Sequence, residues 1–430
     1  MGLLNALRKL IRDENGNALA MGAAAMPLVI AGAGLALDSI QISLTKRQLQ
    51  RSADSAALAG AHALVQERVP QDGVTRDLEL NNEVTLNGAA VVENAPLTGA
   101  FAGNERAVRV QLSAQRSLSF LSFFGANEQA ITVEATAAIV REGEFCMLSL
   151  EDGDATGVEV GGNATINIGC GISTNSRSTE AIRASGSSVI NATPIMAVGA
   201  IPASSNFGSS QIIPYTPVQE DPFDDLPVPS PTNCVDPPVT HPNSTPTVIN
   251  TSSPEYNSSD GSICYNGLDI QGAVTFDFAQ PTIVYINGGE LGFGAQAQVT
   301  GQNVVFVLTS TNATTDPSSI ATLNQNGGAD IDITAPTSGP WSGIALYEDR
   351  RAPVGRTTNF NGNASSAING AMYFPQAYFH FNGTADMQAT CIQLVARRLD
   401  FRGNGTIRNS CDEEENGIRN FTGTYVRLVG

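Results

Sequence analysis

Two aspartates that alternate along one β-prone run are the strongest candidates for catalysis in this sequence. Asp330 and Asp332 are separated by one residue, and Asp400 follows later in the chain. Paired carboxylates on one face of a β-structure are how some polysaccharide hydrolases obtain a general acid and a general base. Two aspartates at this spacing also occur on ordinary exposed strand edges. A surface enzyme acting on polysaccharide is therefore an alternative function, and not the preferred one.

Other patterns that could support chemistry are weak. Acidic clusters at 151–154 and 412–415 could supply oxygen ligands to Ca²⁺, but neither has EF-hand spacing, and solvated turns are the preferred interpretation. The three histidines, His62, His241 and His380, are far apart in sequence, which argues against a multi-histidine metal site. No nucleotide-binding, serine-hydrolase or zinc-protease fingerprint is present. The sequence predicts a protein that is not an enzyme and has no metal or cofactor.

The six cysteines indicate the compartment. All lie beyond the first third of the chain and none forms a C-x-x-C pair, so their even number favours disulfides in an oxidising environment over metal or redox motifs. Free buried thiols are the alternative. Similar gaps of 24, 30 and 20 residues favour sequential pairing, although the sequence cannot establish it. The predicted pairs are Cys146–Cys170, Cys234–Cys264 and Cys391–Cys411.

Composition limits the partners. The 430 residues include 23 Lys and Arg against 41 Asp and Glu, which gives a formal net charge of −18. A chain of this charge repels the phosphate backbone, so we expect no nucleic-acid partner. Only 15% of the residues are charged, against about 25% in typical soluble domains. This composition is typical of an exported surface protein.

An uncharged run at 18–37 predicts a membrane-spanning helix. Twenty residues at about 1.5 Å each span the hydrocarbon thickness of a bilayer, and Pro27 is tolerated in such helices. Basic residues flank the run equally. The short N-terminal tail and the cysteines beyond the run place the N terminus in the cytoplasm and residues 45–430 outside. A signal peptide cleaved after Ala31-Gly-Ala33 is the alternative.

Helical spacing continues from the span to about residue 66 and predicts an amphipathic stalk that ends at Pro70 and Gly73. The stalk either packs on its own domain or offers a lateral surface to a helix of another protein. Arg51 and Asp54 are expected to form an intrahelical ion pair. A possible further helix lies near 74–86.

The N-terminal region resembles TadE/TadG-like proteins of the tight-adherence (Flp) pilus system. The shared signature is a basic tail with Arg12, then Gly16-Asn17, an apolar span ending at Asp38, and the stalk motif at 49–59. Within that motif the residues singled out are Leu49, Gln50, Ala53, Asp54 and Leu58, together with Asp38 at the end of the span.

This resemblance implies a single-pass protein of the bacterial inner membrane, linked to pilus assembly or attachment. Its partners would be other pilus-assembly or envelope subunits that contact the stalk helix. Asp38 would either mark the water interface or pair with a basic group on a partner helix. The metal signature of the von Willebrand A domain in some larger relatives is absent, because Asp316-Pro-Ser318-Ser is followed by Ile320.

The exported part is predicted to be mainly β. Val108, Val110 and Leu112 alternate, and 131–137 repeat the pattern, which indicates a small sheet near the stalk with phenylalanines 120, 123 and 124 capping its core. The segment 202–262 holds 12 of the 22 prolines and should cross the surface in extended form, pinned at Cys234. The predicted regions are a cytoplasmic tail 1–17, a transmembrane helix 18–37, a stalk helix 38–70, a small α+β domain 71–141, a first β block 142–201, a linker 202–262 and a second β block 263–430.

A repeat near the C terminus predicts the architecture of the β blocks. Asn359-Phe-Asn-Gly, His380-Phe-Asn-Gly and Asp400-Phe-Arg-Gly recur at offsets of 21 and 20 residues. This period favours a parallel β-helix, or solenoid, in which Phe360, Phe381 and Phe401 stack inside. A β-sandwich is the alternative fold. A solenoid face could contact a surface polymer or another subunit, and a scaffold confined to the periplasm is a further possibility.

Overall fold

The computed structural model describes residues 16–125, 127–361, 366–383, 387–389, 392–404, 406–409 and 421–430. The chain is mostly β-structure with a long apolar helix at the N-terminal end. It divides into two compact units, of which the first extends to Val140 and includes Val426–Gly430, and the second comprises Arg141–Tyr425.

Two helices form the first unit's α layer. Helix α1, Gly16–Val65, is continuous through Pro27, and its many alanines are the best helix formers. Helix α2, Pro70–Asn81, begins with Pro70, a residue that suits the first turn because its missing N–H has no intrahelical partner there. The stalk helix ends at Val65, before Pro70 as expected, and Pro70 also starts a second helix, which contains Gly73. The helix expected near 74–86 lies at 70–81.

The two helices pack closely because glycine lies at their contact. A Cβ at Gly73 would come 2.5 Å from the carbonyl oxygen of Ala59, and one at Gly60 would lie 3.0 Å from the Val74 side chain. No larger residue fits between these backbones without displacing them.

A three-stranded antiparallel sheet covers the helices. Its strands are β1 Val91–Asn94, β2 Ala107–Ser117 and β3 Glu128–Ser149, paired in the order β1–β2–β3. The predicted alternation is confirmed, since Val108, Val110 and Leu112 are buried and Gln111 is exposed. This apolar face packs on α1 in one core, which includes Leu49, Ala53, Ala56, Ala57, Val74, Val133 and Ala135.

The second unit is built from short strands that pair mainly in parallel. Three short 3₁₀ helices, Leu121–Phe124 in the first unit and Ser205–Phe207 and Pro317–Ser319 in the second, complete the described elements. The remaining strands are β4 Val158–Val160, β5 Thr165–Ile168, β6 Gly171–Thr174, β7 Ile182–Ala184, β8 Val189–Asn191, β9 Ile195–Ala197, β10 Ile212–Ile213, β11 Val239–His241, β12 Thr247–Asn250, β13 Tyr256–Asn257, β14 Ser262–Tyr265, β15 Leu268–Ile270, β16 Ala273–Asn287, β17 Glu290–Phe293, β18 Gln298–Thr309, β19 Thr322–Gln325, β20 Asp330–Thr334, β21 Ile344–Glu348, β22 Arg356–Phe360, β23 Ala367–Gly383, β24 Met387–Ala389, β25 Ile392–Gly403, β26 Thr406–Asn409 and β27 Phe421–Leu428.

These strands form parallel ladders. The first ladder runs β14–β16–β18–β21–β23–β25–β3–β6–β9–β10. The second runs β11–β15–β17–β19–β22–β23–β25–β4–β7. A third joins β12–β16–β18–β20–β23, and β24–β26–β5–β8 form a separate sheet. Strands β16, β18, β23 and β25 each belong to more than one ladder. The chain therefore bends from one ladder into the next within a single strand.

The order of the ladders differs from the order of the chain. Strand β25, near the C-terminal end, pairs with β3 and β4, so Leu394 lies beside Met147 and Phe401 beside Val160. The strands at 145–197 therefore extend the stack beyond the C-terminal repeats.

Aromatic side chains fill the interior beneath the repeats. The predicted stack is confirmed: the ring centroids of Phe360 and Phe381 are 5.7 Å apart, and those of Phe381 and Phe401 are 5.9 Å apart. All three side chains are buried. Parallel register produces this stack because each Phe lies directly opposite the next.

A segment at 214–234, here called the strap, returns along the first ladder. It leaves β10, which pairs with β9, and ends beside Val235, which bridges to Tyr265 at the other end. Cys234 is disulfide-bonded to Cys264, as predicted. Hydrogen bonds and a ring contact also fix the strap, in addition to that disulfide.

Polar and aromatic contacts hold the middle of the strap. The backbone N–H of Gln219 donates to Oδ1 of Asn175 at 2.7 Å, and the Tyr373 hydroxyl donates to Oδ2 of Asp221 at 2.6 Å. The Phe223 ring packs edge-on against Tyr373, with centroids 5.4 Å apart. Burial raises the pKa of Asp221, against the lowering effect of the hydrogen bond from Tyr373. Asp221 and Phe223 therefore fix the strap to Tyr373 of β23.

Candidate functional site

The first half of α1 exposes an apolar surface. Met21, Leu28 and Leu37 are 67%, 75% and 60% exposed, respectively. Within the described residues, α1 is the one helix long and apolar enough to cross a membrane. Its 50 residues measure about 75 Å at 1.5 Å per residue, more than twice the hydrocarbon thickness.

Two residues one turn apart interrupt this exposed surface. Gly34 and Asp38 are buried, whereas Leu35, Ala36 and Leu37 between them are exposed. A Cβ at Gly34 would overlap the ring of Phe120, so the missing side chain makes room for that ring. Oδ2 of Asp38 accepts hydrogen bonds from the backbone N–H groups of Phe120, at 3.0 Å, and Leu121, at 2.8 Å.

The structure gives Asp38 a contact that the sequence did not predict. The side chain is 1% exposed and holds a loop of its own unit. The two N–H donors lie 82 and 83 residues away in sequence, so no local pattern could have revealed them. Phe120, which was expected to cap the small core, lies on α1 instead, and the side chains of Phe123 and Phe124 lie outside the described residues.

The remaining motif residues serve the helix's own unit. Leu49 and Ala53 are fully buried, and Leu58 packs against the same core. Nε2 of Gln50 donates to Oδ1 of Asp54 at 2.8 Å and to the carbonyl oxygen of Glu134 at 2.9 Å. Asp54 is therefore bonded to Gln50, and the expected ion pair with Arg51 was wrong.

A different face of α1 is free of the sheet. Ser39, Ile40, Ser43, Leu44 and Arg47 line a shallow depression on it. Ile40 and Leu44 are 55% and 54% exposed. Contact with a partner helix would use this face, since the motif face is occupied within the unit.

Replacing Asp38 tests its role in holding the loop. We expect Asp38→Ala to leave two N–H groups without their acceptor and to destabilise the first unit by about 1–3 kcal/mol. Hydrogen exchange measured by mass spectrometry on the full chain in detergent should speed up in the peptide covering 118–125. Asp38→Asn, which keeps one acceptor oxygen, should give a smaller change, and Asp54→Ala should give none there. Equal exchange in Asp38→Ala and wild type would contradict this role.

Residues 16–63 match the family model described as "Putative Flp pilus-assembly TadE/G-like". Helix α1 carries a TadE/G-like segment. The resemblance predicted from the sequence is confirmed over these residues, which include Gly34, Asp38 and the motif at 49–59. No curated protein and no solved structure matches the chain.

The TadE/G-like segment is confined to the first unit, and the candidate catalytic carboxylates lie in the second. Asp332 is paired with Ala367 at the start of β23, whereas Asp400 lies opposite His380 near the end of that strand. The structure therefore does not bring Asp330 and Asp332 together with Asp400. Asp400 is bonded to Nδ1 of His380 at 3.1 Å and to Nε of Arg402 at 2.8 Å.

The acidic cluster at 151–154 has a structural role where β25 meets β3 and β4. Glu151 is buried, and its Oε2 lies 2.6 Å from Nε of Arg398 and 3.4 Å from Nε of Arg397. Asp152 accepts a hydrogen bond from Arg397 at 2.8 Å. Glu151 is thus held by two arginines from β25, whereas Asp152 and Asp154 are exposed, so the expected solvated turn applies to these two and not to Glu151. The cluster at 412–415 lies outside the described residues.

Two of the three predicted disulfides are present. Cys146 pairs with Cys170, at a Cα–Cα distance of 5.7 Å, and Cys234 pairs with Cys264, at 4.3 Å. Cys391 and Cys411 lie outside the described residues. The first bond links β3 to the residue before β6, and the second links the end of the strap to β14, so both lie within the second unit.

Proposed function

We propose that this chain is a membrane-anchored envelope protein of a TadE/TadG-like Flp pilus-assembly or adhesion system. One observation carries the proposal: the TadE/G-like match falls on a helix whose first half exposes an apolar surface. The N terminus lies in the cytoplasm, α1 crosses the inner membrane once, and the rest lies in the periplasm or outside the cell. The disulfides support an oxidising location.

We also propose that the second unit is a parallel β-helix with a binding or structural role. The parallel ladders, the strands that turn between them and the internal Phe stack support this fold over a β-sandwich, whose sheets are antiparallel. A non-catalytic role is supported by the separation of the candidate carboxylates, because Asp332 lies beside the start of β23 and Asp400 beside its end. Its polar outer face would contact a surface polymer or an envelope subunit.

The test is photocrosslinking in intact bacteria that assemble the pilus. A photoreactive amino acid at Ile40 or Leu44 should capture pilus-assembly or envelope subunits from the membrane fraction. The matched control is Ala53, which is buried on the opposite side of α1 and should capture only this chain. Recovery of the intact chain in the cytosolic fraction with reduced cysteines would overturn the proposal, as would equal capture from all three positions.

A further inference from the structure

The hairpin end between β2 and β3 is apolar. Residues 118–125 contain two leucines and three phenylalanines and no charged residue. They follow the last pair of the β2–β3 ladder, Ser117 with Glu128, at the end of the sheet nearest Asp38. The opposite end of the hairpin sheet, where Ala107 pairs with Ala138, lies near Gly60.

This loop packs on α1 inside the proposed membrane span. Phe120 fills the space over Gly34, four residues before Asp38 and therefore about 6 Å further into the apolar run. If residues 18–37 lie in lipid, the ring that covers Gly34 must lie at the same depth. The Asp38 carboxylate satisfies the N–H groups of Phe120 and Leu121, which lowers the cost of placing this backbone where water is scarce.

The positions of the charged residues on α1 are consistent with Phe120 lying at the depth of Gly34 in the bilayer. Asp38 is buried and bonded, and the next charged residue on the helix is Lys46. Ile40 and Leu44, between them, are more than half exposed. The helix surface therefore stays compatible with the bilayer's interfacial region for about two turns beyond Asp38, and Lys46 and Arg47 suit the headgroup level.

We infer that residues 118–125 form a second membrane contact, seated beside α1 in the outer interfacial region of the bilayer. The inference rests on the proposed membrane anchor. A helix alone is free to tilt and rotate in lipid, whereas a helix with an adjacent interfacial loop is fixed in depth. The loop thus sets the height at which the free face at Ile40 and Leu44 meets a partner.

Single-tryptophan variants test this contact, because Trp341 is the only tryptophan in the chain. In a Trp341→Phe background, one tryptophan is placed by Phe120→Trp, Leu121→Trp, Phe101→Trp or Leu28→Trp. Phe101 lies in the turn at the opposite end of the hairpin sheet, and Leu28 lies on the exposed span. Each full-length variant is reconstituted into phosphatidylcholine and phosphatidylglycerol vesicles, with and without acyl-chain-brominated phosphatidylcholine.

The bromine atoms should quench the fluorescence of Leu28→Trp and of at least one of Phe120→Trp and Leu121→Trp, and leave that of Phe101→Trp unchanged. The use of two loop positions guards against a substitution that disturbs the packing on Gly34. Quenching at position 28 with none at 120 and 121 would overturn the loop contact and leave the anchor standing. Absence of quenching at position 28 would overturn the anchor itself, and the loop contact with it.

Discussion

Phe381→Ala is expected to destabilise the second unit by about 3–5 kcal/mol, the usual cost of deleting a large side chain from a packed core. Phe381 is the central ring of the stack, with Phe360 on one side and Phe401 on the other. The cavity would therefore remove contacts with two neighbours on separate strands. Denaturant unfolding of the full chain in detergent, followed by the fluorescence of Trp341, measures the change, because Trp341 is buried against Tyr347 in the same unit.

The adjacent residue supplies the control. Asn382 is exposed on the same strand, so Asn382→Ala should change the stability by less than about 0.5 kcal/mol. Phe381→Leu, which fills part of the space, should fall between the two. If Phe381→Ala and Asn382→Ala had equal unfolding midpoints, the stack would not carry the stability assigned to it.

The Phe stack was predictable from sequence because the repeat is local. Parallel strands one turn apart bring residues about 20 positions apart into register. The spacing of Phe360, Phe381 and Phe401 therefore predicts that they lie opposite one another. The same reasoning recovered the alternation in β2, since one face of an antiparallel strand is buried on α1.

The order of the strands could not be predicted from sequence. Leu394 pairs with Met147 across almost 250 residues, and no composition or spacing distinguishes that pairing from others between apolar strands. Long insertions also hide the repeat, because β18 pairs with β21 only after about 40 intervening residues. The strap's path follows from this order, since the chain must return from β10 to the far end of the ladder before β11 begins.

The contacts of Asp38 on α1 could not be predicted from sequence for a different reason. The motif identified Asp38, but its hydrogen-bond partners come from a loop more than 80 residues later. Gly34 gave a weak signal, because a small residue one turn before a buried carboxylate permits close approach by another part of the chain. The sequence therefore located the residue but not the loop that it holds.

Glu348 is expected to make the stability of the second unit depend strongly on pH. It ends β21, is 1% exposed, and its Oε2 atom has no hydrogen-bond partner in the described structure. The nearest cation, Arg356, places NH1 3.7 Å from Oε1, but that NH1 also donates to the carbonyl oxygens of Ile320 and Ala321. Burial raises the pKa of Glu348 from its ordinary value of 4.5 to about 7, against the lowering effect of Arg356.

The sign of the pH dependence follows from that raised pKa. The folded state holds the Glu348 proton more tightly than the unfolded state does, so this contribution to stability is complete below about pH 4.5 and is lost as pH rises through about 7. The difference of about 2.5 pKa units corresponds to a loss of about 3 kcal/mol. Asp349, beside it, has a lowered pKa because hydrogen bonds from Arg351 and Thr309 outweigh its burial, and its own loss occurs only in stronger acid.

Glu348→Gln separates this effect from every other titration in the chain. The amide resembles the protonated carboxyl and cannot ionise, so the variant should match wild type at about pH 4 and exceed its stability by up to about 3 kcal/mol at about pH 8. Unfolding of both full-length proteins in detergent, monitored through Trp341 at each pH, gives the difference directly, because groups that titrate alike in the two proteins cancel in it. A wild-type protein that is the more stable of the two at about pH 8 would mean that the ionised Glu348 is stabilised by Arg356 more than it is penalised by burial. That result would contradict the raised pKa of Glu348.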